Sequence, residues 1–296
     1  MWYNRFCLER LVIFVKISVF SSGSSGNCTL VQAGDYNIII DIGISKKSLD
    51  ENLLNHNLTL DNIQVLLITH EHSDHTKGFN AILKYDNIKI YLTKGTYHYI
   101  LSSNRDKNPN VYEKMQEKLE NGSIILLNRL EKSMFYYGID LYNVKIDVLP
   151  TFHDASESIG FVIYENDKKL VYITDTGYVH EILFNTISNA DAYILESNHD
   201  PSILMHSKRP YHLKMRILSN HGHLSNEDSM VVLANTIGDK TKLVMHAHIS
   251  QECNLSHIVE LTRKKVLDDF GIDTSGIEFV ILTPFPTKEY EIWKLI

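Results

Sequence analysis

Apolar and polar positions alternate with period two near the start of the chain and shift to a helical rhythm farther on. The alternation predicts strands over residues 16–20, 29–33 and 37–41, and the unbroken apolar run 63–68 predicts a strand covered on both faces. A Ser/Gly stretch separates the first two, a Gly34-Asp35 turn the next two, and helical spacing covers Lys46–Asn55. Beyond it, helices are expected near 76–85, 95–102, 110–120, 178–187, 211–219, 226–237 and 251–269. Strands are expected near 88–91, 123–127, 134–137, 139–149, 158–164, 168–173, 192–195, 242–246 and 277–282. Interleaved strands and helices, with hairpin-like pairs, imply a layered α/β protein built on mixed sheets. No repeat, low-complexity tract or linker divides the chain, so residues 15–296 read as one domain preceded by an N-terminal extension, 1–14.

The apolar run 11–20 follows Arg5 and Arg10 and leads into Ser21-Ser22-Gly23, which imitates a secretion signal. Lys16 interrupts it and strand patterning continues beyond, so 15–20 reads as the first strand. No other stretch is long enough to span a bilayer. With 44% hydrophobic and 22% charged residues the chain has the composition of a folded protein. A net charge of −7 argues against coating nucleic acid through bulk electrostatics but leaves room for a local basic patch. Cys7, Cys28 and Cys253, widely spaced, suit reduced thiols and a cytoplasmic location better than a disulfide framework.

Histidine changes the picture. His70-Glu71-His72-Ser73-Asp74-His75 follows the apolar strand directly. Residues two apart in an extended loop project to one side, so His70 and His72 can grip one metal while Asp74 and His75 turn toward a second. His153, Asp175 and His248 each stand at or just beyond the end of an expected strand, where a lone His or Asp is more often a cap than a ligand.

In this order, H-x-H-x-D-H followed by a distant His, a distant Asp and a last His, the sequence resembles the metallo-β-lactamase superfamily. The resemblance implies an αββα sandwich of two mixed sheets with helices outside. It also implies that His70, His72 and His153 hold one divalent ion, that Asp74, His75 and His248 hold a second, and that Asp175 bridges them. From 21 to 28 the chain reads Ser-Ser-Gly-Ser-Ser-Gly-Asn-Cys, and Asp41-Ile42-Gly43, Thr174-Asp175-Thr176-Gly177, Glu196-Ser197-Asn198-His199-Asp200 and Gly222-His223-Leu224-Ser225-Asn226 follow. These segments resemble the YycJ/WalJ family, which implies an exonuclease acting on DNA from the 5′ end.

Phosphodiester hydrolysis needs a strong nucleophile and a sink for charge on the attacking and leaving oxygens, which two divalent metals supply. Imidazole and carboxylate donors suit zinc or manganese. Asp74 and His223 are the expected catalytic residues. Ser24, Ser25 and Asn27 belong to a loop whose hydroxyls and amides suit an anion, and Lys208, Arg209, Lys214, Arg216 and His223 fall in a basic stretch suited to a DNA backbone. That loop can equally be a plain turn, and that stretch the solvated face of a helix. Asp41, Glu196 and His199 read as supports for the ligands or as structural residues. No nucleotide cofactor or membrane partner is expected. Two other readings stand beside the nuclease: a two-metal hydrolase of a small ester, lactone, thioester or cyclic nucleotide, and a metal-binding regulatory protein.

Overall fold

The computed structural model describes residues 12–295. The expected extension therefore lies outside the described residues, Cys7 included, except for 12–14, which continue the first strand.

Two seven-stranded sheets form the centre of the molecule. The first contains β1 (Val12–Ser21), β2 (Cys28–Ala33), β3 (Tyr36–Ile40), β4 (Val65–Leu67), β5 (Lys89–Thr93) and β6 (Ile124–Leu127). The second contains β7 (Ile139–Asp140), β8 (Val144–Pro150), β9 (Ile159–Glu165), β10 (Lys168–Ile173), β11 (Ala192–Glu196), β12 (Leu243–Ala247) and β13 (Glu278–Ile281). A last strand, β14 (Tyr290–Leu295), returns to pair antiparallel with β1, so the first sheet runs β14-β1-β2-β3-β4-β5-β6. Both sheets are mixed: β1, β2 and β3 pair antiparallel and β3 to β6 parallel, while β7 to β10 pair antiparallel and β10 to β13 parallel.

Strand alternation decides which side chains meet between the sheets. Ile38, Ile40, Val65 and Leu67 face Phe161, Ile163, Leu170, Tyr172, Ile194 and Met245 in one shared core. Their neighbours Ile39 and Leu66 point the other way, onto Leu49, Leu53, Phe79, Tyr97, Ile100 and Met115 of the helices covering the first sheet. Val162, Val171, Tyr193 and Val244 pack likewise against Met230, Leu233, Val259 and Val266 of the helices Asn226–Thr236 and Ser256–Asp269. The result is an αββα sandwich. Strands buried on both faces explain the continuous apolar runs in the sequence.

Differences from the sequence reading are local. The strand expected at 139–149 is a hairpin of β7 and β8, and 134–137 contributes only the bridge Arg129 to Tyr136. The helix expected at 76–85 is two short helices, Ser73–Thr76 and Phe79–Ile82, broken at Gly78. A 3₁₀ turn, Glu181–Leu183, precedes a single helical turn, Phe184–Ile187, where one helix is expected. The last helix starts at Ser256 rather than near 251. The helix Pro201–His206 and strand β14 are additional.

What matters for the site is direction. The strands β3, β4, β8, β10, β11 and β12 all deliver their C-terminal ends to one edge of the sandwich, where Glu196 ends β11 and Asp41, Thr69, His153, Asp175 and His248 follow the others. Open sheets present ligand-binding residues at such an edge.

Candidate metal centre

At Ser73 the loop after β4 turns from extended chain into a helical turn, so His70 and His72 project one way and Asp74 and His75 another. Gly43 makes the close packing of this turn possible: a Cβ there would stand 1.6 Å from the Asp74 carbonyl oxygen. Asp41, Asp175 and His248 adopt positive φ values of 59°, 54° and 54°, and these left-handed turns come within two residues of the ends of β3, β10 and β12. Such backbone is uncommon outside glycine and persists where the surroundings enforce it.

The seven expected ligands converge. His70, His72 and His153 form one cluster with donor atoms within 4.8 Å of one another, and Asp74, His75 and His248 form another. Asp175 joins both sides: its Oδ2 is 3.3 Å from His75 Nε2, and its Oδ1 is 3.4 Å from His248 Nδ1 and 3.9 Å from His153 Nε2.

Three of the rings are aimed by a partner on the far nitrogen. His75 Nδ1 donates to Asp41 Oδ2 at 2.7 Å, and His248 Nδ1 donates to Glu196 Oε1 at 2.9 Å. His153 Nδ1 donates to the Gly222 carbonyl at 2.9 Å. Carboxylate and carbonyl oxygens only accept, so the proton sits on Nδ1 and Nε2 is left to face the cluster. Asp41 is itself held by the Thr69 amide and hydroxyl, both at 2.8 Å.

Burial works against charge here, and the paired ions decide which groups keep it. Burial and the charge of His75 drive His70 well below the ordinary imidazole range. Burial would lower His248 too, but the Asp175 carboxylate overrides it and pushes this ring up to about 10. His75 rises for the same reason beside Asp175 and Asp41, while Asp175, buried yet flanked by His248 and His75, is held well below the usual carboxylate range. Glu196 is fully buried, yet His223 holds it down to about 2.

These residues fit a divalent metal. Asp175 Oδ2 and His248 Nε2 are buried without a hydrogen-bond partner among the described residues. Leaving such atoms unsatisfied costs about 1–3 kcal/mol each. A cation between them removes that cost, and the histidine and carboxylate donor set is one that binds such ions.

The other expected residues divide. His223 reaches the centre: its Nδ1 donates to Glu196 Oε1 at 2.7 Å and lies 3.8 Å from Asp175 Oδ1. Ser24, Arg209, Arg216 and His223 line a cavity of about 180 Å³ beside it, together with Asn198 and Ser250. Ser25 lines an adjoining cavity of about 270 Å³. Lys208 is exposed. Two placements differ from the expectation of a substrate contact. Asn27 is buried, with its amide 3.0 Å from His75 Nε2, so it packs within the centre. Lys214 is buried and donates to the carbonyls of Met205 and Ser207, which ties its helix, Tyr211–Ile217, to the C-terminal end of the preceding helix, Pro201–His206. His199 is buried without joining the cluster; its ring nitrogens meet no partner among the described residues.

Supports that sequence reading missed are Thr69, Gly222, Ser22, whose hydroxyl accepts from the His248 amide at 2.9 Å, and Asn198, which donates to the His248 carbonyl at 2.7 Å. Glu71 is another: its Oε1 accepts from the Ser156 amide at 2.6 Å, tying the His70 loop to the His153 loop. A Glu set between two expected ligand histidines is the signal the sequence offers for it.

Comparison with known proteins agrees with this geometry. Residues 36–247 match the β-lactamase superfamily domain. The chain is 29% identical over 257 residues to exodeoxyribonuclease YycJ of Bacillus anthracis, covering 87% of this chain and 90% of that protein. It is 30% identical over 273 residues to exodeoxyribonuclease WalJ of Streptococcus pneumoniae, covering 92% and 94%. In fold it is similar to the metallo-β-lactamase fold protein YhfI of Bacillus subtilis, with a TM-score of 0.63 at 14% identity over 95% of this chain and 100% of that one. Sequence and architecture together show that the chain belongs to the β-lactamase superfamily, as a hydrolase of the metallo-β-lactamase fold.

Proposed function

We propose that this protein is a two-metal DNA exonuclease that cleaves phosphodiester bonds from the 5′ end, with residues 15–296 as its hydrolase domain. The observation that carries the reading is Asp175 standing between two histidine-rich clusters in one buried centre, with His223 alongside. In this reading His70, His72 and His153 hold one ion, Asp74, His75 and His248 the other, and Asp175 contacts both. The ions are zinc or manganese, in keeping with the nitrogen and oxygen donors. Bound divalent ions supply Lewis acidity toward a phosphate and lower the pKa of water.

The chain's own residues orient and discharge the substrate. Glu196 anchors His223 through Nδ1, which leaves Nε2 as the ring atom that can hand a proton to a departing oxygen in the neighbouring cavity. Arg209 and Arg216, with the Ser24 and Ser250 hydroxyls, offer donors to phosphate oxygens. The names of the YycJ and WalJ relatives support DNA as substrate. Buried free thiols at Cys28 and Cys253 support a reducing, cytoplasmic setting.

The test is a substrate panel: 5′-labelled duplex DNA, single-stranded DNA and a small phosphodiester dye, each with zinc and with manganese. Mononucleotide release from DNA ends, abolished in Asp74→Ala, is expected. Intact DNA alongside rapid turnover of small esters would remove the nuclease reading.

A further inference from the structure

Across the Glu71 link from the metal centre lies a cavity of about 380 Å³ whose wall includes Tyr99, Arg105, Tyr112 and Ser156. The helix Lys94–Asn104 buries Tyr97 and Ile100 against the first sheet and turns Tyr99 outward, leaving it 52% exposed. Arg105 caps that helix, and its guanidinium sits 5.7 Å from the centre of the Tyr112 ring on the next helix, Pro109–Glu120. The other arginines beside the centre are neutralised, Arg209 by Glu252 at 2.8 Å and Arg216 by Asp154. Arg105 makes no ion pair with a carboxylate among the described residues. Two tyrosine rings and an uncompensated cation therefore share one concavity.

This concavity is fixed to the catalytic edge by hydrogen bonds. The Ser156 amide donates to Glu71, which stands between His70 and His72, and the Gly95 amide donates to Glu157 Oε2 at 2.9 Å. Ser156 is three residues from His153, so fully extended chain separates them by about 10 Å at most. At a rise of about 3.4 Å per stacked nucleotide, that distance is about three nucleotides.

We propose that this cavity holds an unstacked nucleobase against Tyr99 and Tyr112 while Arg105 takes its phosphate, within about three nucleotides of the cleaved linkage. The inference rests on the nuclease reading and adds a base-stacking subsite to it. Tyrosine faces accept any base, and a guanidinium serves the phosphate, so the subsite grips single strands without reading sequence. A cavity of this volume is also within the range of small-ligand sites.

The test uses the full-length, metal-loaded protein and single-stranded oligonucleotides with a cleavage-resistant linkage and 2-aminopurine at successive positions. Emission is expected to fall at one position within about three nucleotides of that linkage. The quench is expected to vanish in Tyr99→Ala and Tyr112→Leu and to persist in Tyr112→Phe, with affinity weakened on the order of tenfold by each ring loss. Arg105→Ala is expected to lower the salt dependence of binding by about one phosphate. Position-independent emission, or quenching unchanged in both ring-loss variants, overturns the subsite. If the wild-type protein cuts the same oligonucleotides made with ordinary linkages in that case, the nuclease reading stands alone; if it cuts no DNA, the parent reading fails first.

Discussion

Asp41 shows how much a single carboxylate does at this centre. It is fully buried, sits at positive φ, and accepts from the Thr69 amide, the Thr69 hydroxyl and His75 Nδ1 at once. Asp41→Asn keeps the shape but puts an amide where an acceptor is needed, so His75 loses the partner that aims its Nε2. Metal affinity is expected to fall about 10- to 100-fold with the fold retained, measured by competition with a chelating dye; unchanged affinity would leave Asp41 as no more than a strand terminator. His223→Ala tests a different link, since this ring stands beside Asp175 and His248 yet commits its Nδ1 to Glu196. Its expected signature is a kcat lowered about 10²- to 10⁴-fold with metal content unchanged; loss of metal instead would make it a ligand. The sequence displays His70, His72, Asp74 and His75 as a motif because all four lie in six consecutive residues. Asp41 and Glu196 carry no comparable mark: a carboxylate at a strand end acquires its meaning from what the fold sets opposite it.

At the scale of elements, periodicity revealed the strands whose partners are near in sequence or whose two faces are both apolar. It missed β14, because that strand's identity depends on pairing with β1 at the opposite end of the chain. β14 covers the edge of β1, and Ile292 is buried in the core between the sheets. Ending the chain before Tyr290 is expected to cost at least about 2 kcal/mol from lost apolar burial alone. It also bares an edge strand, so self-association is expected on light scattering alongside the lower melting temperature. A monomeric protein with unchanged melting would show that β14 contributes nothing. The broken helix after His75 has a similar lesson. The periodic pattern continues past Thr76, yet Gly78 packs against Ile42 and interrupts it, since a Cβ there would lie 2.3 Å from the Ile42 Cγ2. Sequence periodicity records which face is apolar, and it does not record where another loop comes too close.

For the molecule as a whole, metal binding, proton release and stability are one linked equilibrium. Without metal, His248 titrates at about 10, above its unfolded value of about 6.5, so its contribution to stability is complete below about 6.5 and disappears as pH rises through 10. His246, whose ring is pushed down to about 3 by burial and Arg263, and His199, pushed down to about 4 by burial, have the opposite sign. They stay neutral in the folded protein while the unfolded chain takes up protons, so stability present above about 6.5 is lost as pH falls toward 4. A ligand cation must displace the proton held by His248, and each displaced proton makes apparent affinity rise up to tenfold per pH unit below 10. Ligand at 100 times its Kd stabilises by about 2.7 kcal/mol, and the same concentration stabilises more as Kd falls. The gap in melting temperature between metal-loaded and chelator-treated protein is therefore expected to widen from pH 6.5 to pH 8.5, with the chelated form declining over the same range. Scanning calorimetry of both forms at fixed free metal checks this. A gap that stays constant or narrows would mean that His248 carries no proton for the metal to displace, and the linkage between metal binding and this ring would be lost.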